Sequence, residues 1–342
     1  MRSSRRIRSG CPSHPASSSP RTASGSRSAT ASGTPSPARA RIESTSPTRL
    51  PVAPNVKFTE NGQRLTLGDG FWNSVTGKGT YRVDVADPAA GQVGTFVTMR
   101  EAPGTPLIMA LRLKVENRRL SEIEVLLAHS EGGARNLETI GEPRAAFLRE
   151  TPAGDRMSRA DLVRVANMYF SGMQKNDGKG QYPFADDCDR LENGGQTTNA
   201  KSVPGRNGGP PRTTRLDPKT STNYDSMWTC GEQFESGLLH FVNRIRDRRY
   251  LVVDQERGLV LGFAFFDHSA GKTRTFQLPD GRTVTAGPQQ PWTWEIAELF
   301  KVEKRLLHEI EAVLERAPYG MTSGWSTWED AMSDKVQYAG PR

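Results

Sequence analysis

LKVENRRLSEIE (Leu113–Glu124) and FKVEKRLLHEIE (Phe300–Glu311) superpose position for position without a gap. Working outward, RVDVADPAAGQVGTF (Arg82–Phe96) matches RYLVVDQERGLVLGF (Arg249–Phe263), with Asp87 over Asp254 and Gly91 over Gly258. Further upstream, VKFTENGQ (Val56–Gln63) has a counterpart in CDRLENGGQ (Cys188–Gln196), which sets Glu60 over Glu192. Three blocks in the same order predict a duplicated unit.

Each block reads as strand. Val83, Val85, Val93 and Phe96 flank a Gly-containing turn at Asp87–Gly91, and Tyr250–Val253 with Leu259–Phe266 flank its twin at Asp254–Gly258. Both predict hairpins. Leu107–Val115 and Ile123–Leu127, with Trp294–Val302 and Ile310–Leu314, complete a long antiparallel sheet in each copy. A sheet with one buried face needs a helix to close its concave side. In the second copy Ser158 and Asp161 give a capping-box-like start, and Leu162, Val165, Ala166, Tyr169, Phe170 and Met173 form one apolar stripe at helical spacing. The first copy shows no such helix. Gly194–Ser226 reads as a long irregular loop, and Ser269–Pro291, with Pro279-Asp280-Gly281 at its centre, as a protruding hairpin.

Composition sets limits on function. The chain has 342 residues, 35% of them hydrophobic, and a mean hydropathy of −0.62. No apolar run approaches the ~20 residues of a spanning helix, which predicts no membrane partner. The formal net charge is +8, from 46 basic and 38 acidic residues, but residues 1–49 hold nine Arg against one acid, Glu43. The remainder is balanced, so a basic nucleic-acid groove is not expected on the folded part. Residues 1–49 are Ser, Arg, Pro and Ala and read as a disordered tail, or as a gene-model artefact. The expected divisions are therefore this tail, an incomplete domain at 50–150, a complete one at 151–325 and a C-terminal tail at 326–342.

The second copy has a helix running to Tyr-Pro-Phe-Ala-Asp-Asp (Tyr182–Asp187), a Glu five residues on, a curved sheet, and Glu298–Val313 closing it. In this order it resembles the SnoaL-like and ketosteroid-isomerase-like branch of the NTF2-like superfamily. The Glu-Asn-Gly, Arg-Asp-Arg-Arg, Phe-Phe-Asp-His and Pro-Tyr-Gly-Met segments are also similar to an uncharacterised fungal and bacterial family of unknown function. The resemblance implies an α+β fold, a pair of cones with the first lacking its N-terminal helices. It also implies a pocket for a small apolar or polyketide-like molecule. The chemistry would be cofactor-free proton transfer, with a non-catalytic carrier or interaction module as the alternative. In the isomerases of that branch a base follows an Ala-Asp-Asp stretch; Ala185-Asp186-Asp187 stands there, and Glu192 falls near the base.

Glu192 is the first catalytic candidate, as a carboxylate at the mouth of an apolar cone; the adjoining Asn-Gly equally explains the motif as a turn. Asp267 and His268 are the next, with the constraint that strand neighbours point to opposite faces, so only one can reach the pocket. Tyr169, Phe265, Glu298 and Tyr319 are the expected ligand contacts, Tyr319 within a segment that either forms a lid or docks outside the sheet. Arg246-Asp247-Arg248-Arg249 reads as a solvated edge or an anion site. The five His are scattered, no Cys-x-x-Cys occurs, and no Gly-rich phosphate loop follows a strand, so neither metal nor cofactor is expected. Cys188 and Cys230 bracket the loop; if bridged they imply an oxidising compartment and export, and otherwise a cytoplasmic protein. The partners expected are a small-molecule ligand and a sheet-face pairing, either between the two copies as a pseudo-dimer or between two chains.

Overall fold

Tyr81, Val83 and Val85 are buried and alternate with exposed Arg82 and Asp84, the two-residue period of a strand with one dry face. The computed structural model describes residues 50–205 and 209–340; the segment 1–49 lies outside them. The first sheet is built from β1 (Val52–Glu60), β2 (Gln63–Arg64), β3 (Val75–Asp87), β4 (Gln92–Glu101), β5 (Thr105–Glu116) and β6 (Arg119–Ala128). Their order is β2-β1-β6-β5-β4-β3, with β1 parallel to β6 and the rest antiparallel. Short helices α1 (Phe71–Ser74), α2 (Glu131–Ile140) and α3 (Ala145–Leu148) flank it, and α4 (Arg159–Met173) opens the second half. As the sequence predicts, the Ser158 hydroxyl caps α4 by accepting from the Asp161 N–H at 3.1 Å.

The second sheet contains β7 (Phe184–Glu192), β8 (Gly195–Gln196), β9 (Arg244–Asp254), β10 (Leu259–His268), and, beyond a separate small hairpin of β11 (Thr275–Gln277) and β12 (Thr283–Thr285), β13 (Trp292–Glu303), β14 (Leu306–Ala317) and β15 (Val336–Tyr338). Its order is β15-β9-β10-β13-β14-β7-β8, with β7 parallel to β14. Read from β8, this is the order of the first sheet with β15 added at the far edge. The details recur as well. Asn61 and Asn193 both stand at φ 45°, and the β5–β6 and β13–β14 turns both place two successive residues at positive φ (Asn117 and Arg118; Lys304 and Arg305).

The two sheets pack face to face. One cluster joins Val83, Val85, Phe96 and Ile108 of the first sheet to Val252, Leu261, Phe263 and Leu299 of the second. The opposite face of the second sheet carries α4 and α5 (Cys230–Glu235) over a second cluster around Tyr169, Phe170, Phe234 and Phe300. The second sheet is thus a middle layer, which explains why β10 is buried at all ten positions. The fold is α+β with few helices and two open, curved sheets. Among the described residues no helix is long and apolar enough to cross a membrane.

Three readings of the sequence change. Arg246, Asp247, Arg248 and Arg249 are not a solvated edge: all are buried, because β9 lies between the first sheet and α4. Arg249 Nη2 and Arg112 Nε meet Glu124 at 2.7 and 2.8 Å. Burial alone would raise the Glu124 pKa, and these two guanidiniums outweigh it and hold the carboxyl low. The Ser269–Pro291 hairpin does not protrude freely, since Phe276, Leu278 and Val284 pack on Trp228 and Leu238. Residues 326–340 are not a mere tail: they form α6 (Trp328–Ala331) and the edge strand β15.

Candidate functional site: a cavity under the second sheet's helix

In β7 the two-residue period sets Arg190 and Glu192 on one face. The register then carries that face across the sheet, Glu192 beside Ala312 and Ala312 beside Glu298. The small Ala312 lies between two acids. Tyr169 and Met173, one helical turn apart on α4, cover the row. Tyr224 reaches in from the long loop, and Phe241, Phe266 and Trp294 supply apolar wall. The cavity volume is about 220 Å³, below the range usual for drug-sized ligands and suited to a compound of one or two rings.

Arg190 organises the polar end. Its guanidinium, 2% exposed, donates to the Tyr169 hydroxyl at 3.0 Å, the Tyr224 hydroxyl at 2.6 Å, Gln233 Oε1 at 2.7 Å and Thr197 Oγ1 at 2.9 Å, and pairs with Glu192 Oε1 at 3.0 Å. Burial pushes the Tyr224 hydroxyl up to about 12 and raises Tyr169 well above its ordinary value, so both remain protonated at neutral pH. Glu298 is the desolvated acid. Burial, and then the nearby Glu192 charge, raise its pKa to about 8; Arg190 and a hydrogen bond with Tyr169 only partly offset them. Its Oε2 is buried and has no hydrogen-bond partner. A neutral carboxylic acid therefore sits across Ala312 from an ion-paired carboxylate.

The expected site residues separate. Glu192, Glu298 and Tyr169 come together. His268 lines the same cavity at its far end: Trp292, its partner across the sheet, precedes Glu298 by six residues, roughly 20 Å of strand. His268 stacks on Trp292 with ring centroids 4.2 Å apart, and burial lowers its pKa to about 4. Asp267 and Phe265 point away from the cavity. Arg246 forks onto Asp267 at 2.8 and 3.0 Å, Arg244 adds a contact at 2.6 Å, and Thr293 donates at 2.7 Å. The Arg246 guanidinium also lies over the Phe265 ring. Tyr319 is exposed and bonds Ser269 outside the cavity. The chain beyond it crosses to the first sheet, where the Trp325 indole donates to Thr59 Oγ1 at 2.9 Å. It straps the two sheets rather than covering the mouth.

Sequence reasoning passed over Arg190, Tyr224 and Gln233. The alternation of Arg190 with Glu192 in a strand was the available signal; Tyr224 and Gln233 lay in and beyond a loop whose path the sequence does not specify. Among the described residues no group of three or more His, Cys, Asp or Glu is placed to hold a metal ion. Cys188 and Cys230 are bridged, tying β7 to the first turn of α5.

In the first sheet the matching row is Leu111, Val125 and Glu60, with Phe58 where the second copy has Arg190. Only the acid of β1 is kept.

Residues 155–314 match a family described as a domain of unknown function (DUF8021). No curated protein matches the chain. The matched segment holds every cavity residue from Tyr169 to Leu314, while the first sheet lies outside it.

Proposed function

We propose that the α4 cavity binds a small apolar molecule through its carbonyl or hydroxyl and moves a proton on it without a cofactor. The observation that carries this reading is Glu298, a buried acid with an unpaired oxygen in the lining of the α4 cavity, one residue across the sheet from Glu192. In its neutral form Glu298 donates a hydrogen bond to a carbonyl oxygen. Glu192 removes the proton from the adjacent carbon, and the negative charge that develops on oxygen is met by the Glu298 O–H. The matching strand orders and the paired Asn turns support descent of the two halves from one duplicated unit. The curved sheet under α4 supports an NTF2-like cone. The bridged cysteines favour an exported protein.

The test is a panel of cyclic ketones and β-diketones in D2O, with deuterium uptake beside the carbonyl followed by proton NMR. Uptake above the buffer rate that falls by about 100-fold in Glu192→Gln supports the reading. The carrier alternative has its own support, since Arg190 already neutralises Glu192 and most of the wall is apolar. Saturable binding with exchange at the buffer rate assigns the site to a carrier. Absence of binding across the panel overturns both readings.

A further inference from the structure

The outer face of the first sheet forms a second cavity of about 390 Å³, lined by Phe58, Trp72, Met99, Met109, Leu111 and Val125 among others. It is the counterpart of the face that α4 covers in the second sheet. Among the described residues no comparable helix covers it, and Met99, Met109 and Leu111 remain only half-buried. An apolar concavity of this size is unusual on a soluble surface unless something occupies it. Residues 1–49 offer only Met1, Ile7 and Ile42 as large apolar side chains, too few to fill it.

Charge narrows the occupant. The lining holds one ionisable group, Glu60, and no Lys, Arg or His. Glu101 and Asp69 lie close enough to Glu60 to raise its pKa further after burial has raised it; the Phe71 N–H and His129, which is 3.3 Å from Glu101, act against them without reversing the direction. The Phe71 N–H donates to Glu60 Oε2 at 2.9 Å, which uses one of about four lone-pair positions on the carboxylate. An acyl carboxylate or phosphate head would meet three acids at this end. A hydroxyl or ammonium head would meet an acceptor. The two methionines give the wall the adaptability suited to a flexible chain.

We propose that this face is a binding site for an aliphatic amphiphile whose head donates hydrogen bonds, a long-chain alcohol or amine, with the chain along Leu111 and Val125 and the head at Glu60. The site is separate from the α4 cavity.

The experiment titrates decylamine and decanoate, each below its micelle concentration, and 1-decanol below its solubility limit, into the full chain by calorimetry. The amine and the alcohol bind one per chain, with decanoate weaker by about tenfold or more. Leu111→Arg removes both, whereas Glu298→Gln leaves both unchanged. Glu60→Gln, a near-isosteric change that keeps the fold, narrows the difference between amine and decanoate. Decanoate binding as tightly as decylamine overturns the proposal. So does failure of all three to bind, binding that survives Leu111→Arg in a folded protein, or a dimer in sedimentation that Leu111→Arg dissociates.

Discussion

The side-chain amide of Asn193 closes both backbone groups of Leu314, donating to its carbonyl at 2.8 Å and accepting from its N–H at 2.9 Å. Asn61 does the same to Leu127 at 3.2 and 2.7 Å. The Glu-Asn-Gly motif thus has a structural half: Asn tolerates the positive φ at the strand end and pins the parallel neighbour. Asn193→Ala leaves a half-buried N–H and C=O unpaired and costs about 1–3 kcal/mol. Asn193→Asp, which still accepts but cannot donate, falls between. Urea melts of the two variants check this; an Ala variant as stable as the parent refutes the clamp.

Three buried carboxyls, Glu295 and Glu298 at about 8 and Glu311 at about 7, and the half-buried Glu309 at about 7, have pKa values raised first by desolvation. Folding therefore takes up protons above the unfolded carboxyl range. Stability is unaffected by these groups below about pH 4.5, falls between there and pH 8, and levels off above. His268, lowered to about 4, acts the other way between pH 4 and 6.5 but is a single group. The melting temperature should be higher at pH 5.5 than at pH 8. An equal or higher value at pH 8 contradicts the burial of these acids.

Glu298→Gln removes one of those titrations while keeping shape. The variant should gain stability relative to the parent at pH 8.5 and show no gain at pH 5. A gain independent of pH would mean that Glu298 is not the group that titrates.

Arg190→Lys keeps the charge but gathers its three donors on one nitrogen, where the spread guanidinium reaches two tyrosines, Gln233, Thr197 and Glu192. It should lower the melting temperature and weaken binding of any cavity ligand together. Loss of neither would show that the fork is not needed to shape the polar end.

Much of this architecture is legible in the sequence. Three repeat blocks predict strands that the structure shows, and the Ser158 stripe predicts α4. What escaped is what depends on two layers meeting. The Arg246–Arg249 run looks like surface because its partners, Glu124 and Asp267, come from other strands. Tyr224 looks like loop because the contacts that return it to the cavity, the Cys188–Cys230 bridge, the Arg190 fork and its own bond to the Thr197 carbonyl, join residues far apart in sequence.

The bridge itself is testable. It closes a loop with a sequence separation of 42, so removing it with Cys188→Ala and Cys230→Ala should cost about 4 kcal/mol in the chain-entropy account. It should also expose the 197–229 loop to protease before the sheets open. Simultaneous loss of both in a limited digest would show that the loop is not held by the bridge.

The parallel pairing of β7 with β14 has a consequence for synthesis. β14 follows β7 by about 110 residues, so on the ribosome β7 waits on the order of 5–20 s for its neighbour. Throughout that delay its Leu191 side and its backbone edge are open to other chains. Two apolar surfaces made before it are available for shelter: the inner face of the first sheet, which packs on Leu191 in the folded protein, and α4 on the opposite side of the strand. The nascent chain has reason to hold β7 between the first sheet and α4 and to add the hairpins of the second sheet afterwards.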